Sequence, residues 1–224
     1  MSNRFPRLDA LPVAQRALWP ALEIVRSEGF VLYGGTAIAL HLGHRPSIDF
    51  DFFTDRAFDP ENLLSRFSFL QGAEVLQEEP NTLTALARRT AAEPVKLSFF
   101  GGLSFGRLAD PHETPDRVLE VASLPDLLAH KLKVILQRVD AKDYVDISAV
   151  LQSGLALPDG LAGARALYPQ FPAQEALKAL TYFQGGNLHL LPEETRKYLV
   201  SAANKVRAIP AARIVSPHLS VTSR

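Results

Sequence analysis

Residues 31–53 read "VLYGGTAIALHLGHRPSIDFDFF", and two features of that stretch decide the fold. Gly34 and Gly35 sit where an apolar run should either continue as a strand or begin a helix. Further on, Asp49 and Asp51 alternate with Phe50 and Phe52 in what otherwise reads as a buried strand over 47–53, flanked by Ile48 and Phe53. Side chains alternate faces along a strand, so the two carboxylates point one way and the phenylalanines the other. Carboxylates one strand step apart, within about 7 Å, disfavour joint ionisation. A hard divalent cation resolves the conflict, since Mg²⁺ takes oxygen ligands and commonly combines one or two carboxylates with phosphate oxygens.

The glycine pair supplies the complementary half. "GFVLY" (29–33) reads as a short strand and "TAIALHLG" as a short helix ended by Gly43. Gly34, Gly35 and Thr36 lie between them, where backbone N–H groups and the helix dipole suit a phosphate and the Thr36 hydroxyl can donate to the same anion. Taken alone, Gly-Gly-Thr is most often a tight turn, and Asp-x-Asp most often two solvated residues on an edge strand. The apolar neighbours favour a buried strand and a metal–phosphate site.

Composition narrows the class. With 224 residues, 47% hydrophobic and 21% charged, the chain has the profile of an ordinary globular protein with a real core. Lys plus Arg equals Asp plus Glu at 24 each, so net charge predicts neither nucleic-acid nor membrane binding. Cysteine is absent, which excludes disulfides, thiolate metal sites and a Cys nucleophile. The start, "MSNRFPRLDALPVAQ", lacks a signal-peptide pattern and no apolar run reaches spanning length; the expectation is a cytoplasmic protein.

Along the rest of the chain, Leu18, Leu22 and Val25 mark a helix over 10–28 with Pro20 kinking it, and Asp59-Pro60 opens a helix to Phe69. "AEVLQE", "TLTALAR" and "PVKLSFF" read as an antiparallel meander, with turns at Glu79-Pro80-Asn81 and Ala92-Glu93-Pro94. Residues 101–117 form a lid-like loop carrying His112 and Glu113, and "VLEVAS" (118–123) an edge strand. From Pro158 onward the pattern is helical. His41 and His44 read as packing or phosphate contacts rather than a metal pair, and Trp19, Tyr168 and Tyr182 as packing residues.

A second motif is "LPDLLAHKLKVILQRVDAKDYVDISAVL" (124–151). Read as one continuous helix, Leu128, Leu132, Ile135, Leu136, Val139 and Val150 form an apolar stripe. Lys131, Arg138 and Lys142 border it, Asp143 and Asp146 fall within it, and Lys133, Gln137 and Asp140 point to solvent. Carboxylates turned toward a core require cationic or metal partners. A surface ladder such as Lys142 with Asp146 is the plainer reading.

The first stretch resembles the signature of DNA polymerase β-like nucleotidyltransferases, and more narrowly the AbiEii/AbiGii toxin branch, with Arg45, Ser47, Asp49 and Asp51 matching position by position. Lys131, Arg138, Lys142, Asp143 and Asp146 match that branch's second signature. The resemblance implies an α+β fold: a small mixed sheet flanked by helices over 1–123, a helical region over 124–210 packed on it and contributing to the site, and a loose tail over 211–224. It implies a nucleotidyltransferase using Mg²⁺ or Mn²⁺ on Asp49 and Asp51 to move a nucleotide from an NTP to an acceptor, an RNA such as the 3′ end of a tRNA. Gly34, Gly35, Thr36, Arg45, Ser47 and Lys131 would bind the phosphates, and Lys131 and Asp146 would join the two strand acids in catalysis. Arg138, Lys142 and Asp143 would support them. The role implied is the toxin of a toxin–antitoxin or phage-defence pair, with a cognate antitoxin. One position departs: the third strand carboxylate of such enzymes falls at Ser98, with Lys96 and Phe100 flanking it on the same face. Asp143, Asp146 or a substrate phosphate would have to replace it; otherwise the chain is a degenerate nucleotide- or partner-binding module.

Overall fold

The structure is a computed structural model that describes residues 5–88 and 93–222. The expected turn at Ala92 therefore lies outside the described residues. The helix expected over 10–28 forms as three pieces: α1 (Val13–Leu18), a 3-10 turn (Trp19–Leu22) and α2 (Glu23–Ser27). Pro20 cannot donate the amide hydrogen bond of a continuous helix, and the chain tightens there. β1 (Val31–Tyr33) follows, wholly buried. α3 (Gly34–Leu42) begins on the first glycine rather than after the pair, and Gly43 ends it in the left-handed region at φ 62°.

β2 (Asp49–Phe53) is shorter than expected, and Ile48 is 60% exposed rather than part of a buried strand. Asp59 caps α4 (Pro60–Arg66) by accepting from the Glu61 amide, with a 3-10 turn (Ser68–Leu70) completing the segment. The meander forms as read: β3 (Glu74–Glu79), β4 (Thr82–Ala87) and β5 (Val95–Phe100) pair antiparallel in sequence. Two short strands complete the sheet, β6 (His112–Glu113) and β7 (Glu120–Val121).

The seven strands run in the order β3-β4-β5-β2-β1-β7-β6. β2 pairs parallel with β5 and antiparallel with β1, and β1 pairs parallel with β7, so the sheet is mixed. β7 is not the edge expected of 118–123; the two-residue β6, formed by His112 and Glu113 from the lid-like loop, covers its outer side. Central strands are apolar on the face away from the site: Phe50, Phe52, Leu97 and Phe99 are fully buried, each contributing about 1.5–3 kcal/mol of apolar burial.

The segment 124–151 is not one helix. α5 (Leu124–Val134) and α6 (Ala141–Gln152) are separate, because Asp140 caps α6 by accepting from the Lys142 amide and Asn187 Oδ1 takes the Ala141 amide at 2.7 Å. Val139, expected in the apolar stripe, lies in the connection and is exposed. Beyond it come α7 (Leu157–Leu167), α8 (Ala173–Ala179) and α9 (Glu193–Asn204); Tyr182, expected to pack, is exposed.

Within the tail expected to be loose over 211–224, residues 215–222 are tied to the body of the protein. Arg107 Nη1 donates to the carbonyls of His218 and Ser220, and Asp55 accepts from His218 and from the Leu219 amide. Fully buried Glu120 accepts from the Val221 amide and the Thr222 hydroxyl, and Leu219 is buried beside them. Buried carboxylates demand such partners, which is why an irregular segment stays in place.

Candidate active site

The floor of the site is a grid set by strand register. β2 and β5 run side by side with Asp49 beside Lys96, Asp51 beside Ser98 and Phe53 beside Phe100. Because side chains alternate, these six share one face while the buried phenylalanines take the other. All but Ser98 line a cleft of 720 Å³ whose walls also include Gly34, Gly35, Arg45, Ser47, Lys131, Arg138, Lys142 and His130. Lys96 Nζ stands 3.4 Å from Asp49 Oδ2, a half-exposed pair.

The two glycines make room for charge. Gly34 has φ +73°, and a Cβ there would collide with the Asp51 carboxylate; a Cβ at Gly35 would collide with the Arg45 guanidinium. No side chain caps the start of α3, and its first two residues, Gly34 and Gly35, line the cleft beside the acids. Thr36 does not join them. It is buried, its hydroxyl donates to the Asp49 carbonyl and is bonded to Ser47 Oγ at 2.9 Å, and it ties the start of β2 to α3.

The break between α5 and α6 folds the second motif onto itself. In one straight helix Lys131 and Asp143 would lie about 18 Å apart. Here Lys131 Nζ is 2.7 Å from both Asp143 Oδ1 and Asp146 Oδ2. Arg138 holds Asp143 through Nε at 2.8 Å and Nη2 at 3.1 Å. Arg45 donates from Nε and Nη2 to the two oxygens of Asp146 at 2.7 and 2.8 Å, and His44 Nε2 lies 2.7 Å from Oδ1. The Lys142–Asp146 ladder does not form; Lys142 is exposed at the cleft margin.

These contacts revise the roles expected of the helix residues. Asp143 and Asp146 are fully buried and saturated by cations, so neither is free to take a proton or a metal in place of the missing strand acid. Lys131 is itself buried and its charge is already balanced by two carboxylates. The cluster is a clamp that fixes Arg45, and with it the chain entering β2, against α5 and α6.

Environment separates the acids further. Burial raises the Asp51 carboxyl, and the Asp49 charge adds to that rise against Lys131 and Lys96. Burial also pushes Asp146 up, but the His44 bond, the Lys131 charge and the Arg45 bonds outweigh it and hold the carboxyl well below its ordinary range. Asp143 is lowered in the same manner, with burial overcome by Arg138 and Lys131. His130 is pulled down to about 3 by burial and by the Lys131 and Lys133 charges, so its ring is neutral. Its Nδ1 lies 2.9 Å from the Tyr168 hydroxyl. Burial and Asp126 raise Tyr168, so that hydroxyl keeps its proton, and His130 Nδ1 is its hydrogen-bond partner among the described residues. The neutral imidazole thus shares one ring nitrogen with Tyr168 and keeps the other, Nε2, for a further partner.

Sequence reasoning assigns neither His130 nor Phe53 to the site, and places Lys96 and Phe100 only as the same-face neighbours of Ser98. Phe53 carried a usable signal, since it shares the parity of Asp49 and Asp51 along one strand. Alternation puts Lys96 and Phe100 on the face of Ser98, but that they stand beside Asp49 and Phe53 comes only from the β2–β5 register. His44 was read as packing or phosphate contact and is a partner of Asp146.

Among the described residues no group of three or more His, Asp or Glu side chains is arranged to hold a metal ion. Asp49 and Asp51 are hard oxygen donors of the type Mg²⁺ takes, and burial first, then the Asp49 charge, raises the Asp51 carboxyl.

A mixed sheet with paired acids on a central strand, facing an uncapped helix start, is a nucleotidyltransferase-like fold. It superposes on the crystal structure of an antigenic nucleotidyltransferase-like protein from Paracoccidioides brasiliensis with TM-score 0.52 and 16% identity, covering 91% of this chain and 99% of that one. The chain belongs to the family described as "Nucleotidyl transferase AbiEii toxin, Type IV TA system", whose profile matches residues 21–208. It is also 30% identical over 171 residues to the "Uncharacterized protein aq_aa25" of Aquifex aeolicus (strain VF5), spanning 73% of this chain and 80% of that protein. Membership in a type IV toxin–antitoxin family implies a nucleotide substrate and an antitoxin partner. No described helix is long and apolar enough to cross a membrane.

Proposed function

We propose that the protein is a Mg²⁺-dependent nucleotidyltransferase that moves a nucleoside monophosphate from an NTP to an RNA hydroxyl, the 3′ end of a tRNA being the acceptor class, and acts as a toxin in the cytoplasm. One observation carries this reading: Asp49 and Asp51 project from β2 into a 720 Å³ cleft beside the uncapped start of α3. That volume suits a nucleotide. Asp49 and Asp51 would hold the ion, which when bound supplies charge neutralisation at the phosphates. The first-turn amides at Gly34 and Gly35 take phosphate oxygens. Lys96 and Lys142, the cleft cations outside the Asp143–Asp146 clamp, offset charge on the departing pyrophosphate.

In the reaction the acceptor oxygen bonds to the α-phosphorus, the bond from that phosphorus to the bridging oxygen breaks, and pyrophosphate leaves with the electron pair. The acceptor proton passes to a phosphate oxygen, because Ser98 stands where a carboxylate base would be and Asp143 and Asp146 are locked in ion pairs.

Incubating the protein with total RNA, Mg²⁺ and NTPs labelled at the α or the γ phosphate tests this directly. Label from the α position alone should enter RNA, and Asp49→Asn and Asp51→Asn should each abolish it. Transfer at the unmodified level in those variants removes the proposal, and γ-label incorporation converts it to phosphotransfer. Ser98 favours a second reading, a nucleotide-binding module without catalysis, which tight NTP binding with no label transferred would support.

A further inference from the structure

We propose that Phe53, Phe100 and His130 form the nucleobase subsite of the cleft: the base stacks on one phenylalanine ring, meets the edge of the other, and hydrogen-bonds to His130 Nε2. The inference rests on the nucleotidyl-transfer reading and extends it to the part of the substrate that reading leaves unassigned. Along β2 the side chains on the cleft face run Asp49, Asp51, Phe53, and along β5 they run Lys96, Ser98, Phe100 in matching register. Charge therefore gives way to aromatic surface within one strand step, about 7 Å. A nucleotide has the same order, phosphates first and a flat base last.

The aromatic end is held firmly. Phe53 stacks on Tyr33 with ring centres 4.7 Å apart, and meets Phe100 and His130 edge-on at 5.5 and 5.2 Å. Phe53 and Phe100 are nevertheless only half-buried and both line the cleft. Rings held in place by their neighbours and still open to the cleft offer a surface on which a base stacks without ordering new side chains. His130 adds the polar element. Its Nδ1 is committed to Tyr168, and its Nε2 has no hydrogen-bond partner among the described residues. A neutral ring nitrogen left open at the rim of an aromatic wall discriminates bases by the hydrogen-bonding groups on their edges, since a polar group covered without a partner is unfavourable.

The test is calorimetry on the full chain with excess Mg²⁺, titrating ATP, GTP, CTP, UTP and inorganic tripolyphosphate. At least one NTP should bind more tightly than tripolyphosphate. Phe100→Leu, which keeps apolar volume but removes the ring, should weaken that NTP about five- to hundredfold and leave tripolyphosphate unchanged; Phe100→Tyr should restore the affinity. Tyr168→Phe should flatten the preference among the four NTPs without altering tripolyphosphate binding. Equal affinity for NTPs and tripolyphosphate, or equal losses for both in Phe100→Leu, overturns the subsite while leaving the phosphate and metal reading intact. Failure of the unmodified protein to bind tripolyphosphate or any NTP removes the transfer reading and the subsite with it.

Discussion

Arg45 reaches across 101 residues of sequence to grip both carboxylate oxygens of Asp146, with Nε at 2.7 Å and Nη2 at 2.8 Å. The contact joins the loop that feeds β2 to the helix α6, and Lys131 on α5 closes it from the other side. Planar two-point pairing of this sort fixes orientation as well as distance. It makes the position of the strand acids depend on helices far along the chain.

Breaking that clamp should destabilise the whole protein. Arg45→Ala leaves a fully buried carboxylate short of a partner, and removing one member of a buried pair costs about 3–5 kcal/mol. Arg45→Lys supplies one charge without the two-point geometry and should recover only part of the loss. Urea unfolding of both variants measures this. Stability within about 0.5 kcal/mol of the unmodified chain in Arg45→Ala would show that the clamp is not structural.

The lowered carboxyls of Asp143 and Asp146 set the acid limit. Their folded values lie below their unfolded ones, so the stability they contribute is fully present above the ordinary aspartate range near 3.8 and is lost as pH falls through the folded values. Asp51 has the opposite sign. Its carboxyl is raised, so the folded state is disfavoured as pH rises from the unfolded value through the folded one. Asp51→Asn should therefore raise Tm at pH 7, by about 2–4 °C for each kcal/mol relieved, and give no gain at pH 3, while abolishing transfer. A Tm at pH 7 equal to or below that of the unmodified chain would show that burial and Asp49 impose no strain on this acid.

Much of this arrangement was legible in the chain. Alternation placed Asp49 and Asp51 on one face, and turn residues marked the β3–β5 meander, because both signals are local. The break between α5 and α6 was not, since 131–143 keeps a helical charge spacing and the decisive capping partner, Asn187, lies 46 residues beyond Ala141. The Thr36 hydroxyl contacts are hidden for a similar reason: Ser47 and the Asp49 backbone meet it across the turn, a tertiary contact with no sequence periodicity. The pinned tail depends on Glu120, Asp55 and Arg107, three residues unremarkable in sequence that converge only after the sheet forms.

Gly34 should tolerate nothing larger than hydrogen. Its φ of +73° strains any L side chain, and a methyl there meets the Asp51 carboxylate. Gly34→Ala should lower stability by about 1 kcal/mol or more and displace Asp51, reducing transfer by at least about tenfold. Gly72→Ala is the control, because φ there is also +73° but no heavy atom lies within 4 Å of an added Cβ. If the two variants lose stability and activity alike, the crowding at Asp51 has no functional weight.

Ser98 is the position where one substitution can add the group that the cleft lacks. It is 4% exposed, pairs with Asp51 across β2 and β5, and its hydroxyl meets only Thr84 Oγ1 at 3.5 Å among the described residues. Ser98→Asp places a third carboxylate beside two that already repel each other, so the metal-free protein should lose about 1–3 kcal/mol of stability. Divalent ions should return it: the rise in Tm on adding Mn²⁺ should exceed that of the unmodified chain, since a ligand stabilises in proportion to its affinity for the folded state. If the missing group limits proton removal from the acceptor, transfer should rise, with about 10²-fold as the lower end of what a positioned base supplies. Thermal melts across a Mn²⁺ series and α-label transfer read the two effects separately. A Mn²⁺ response no larger than that of the unmodified protein would mean that residue 98 does not face the same ion as Asp51, and the alignment of acids along β2 and β5 would lose its chemical meaning.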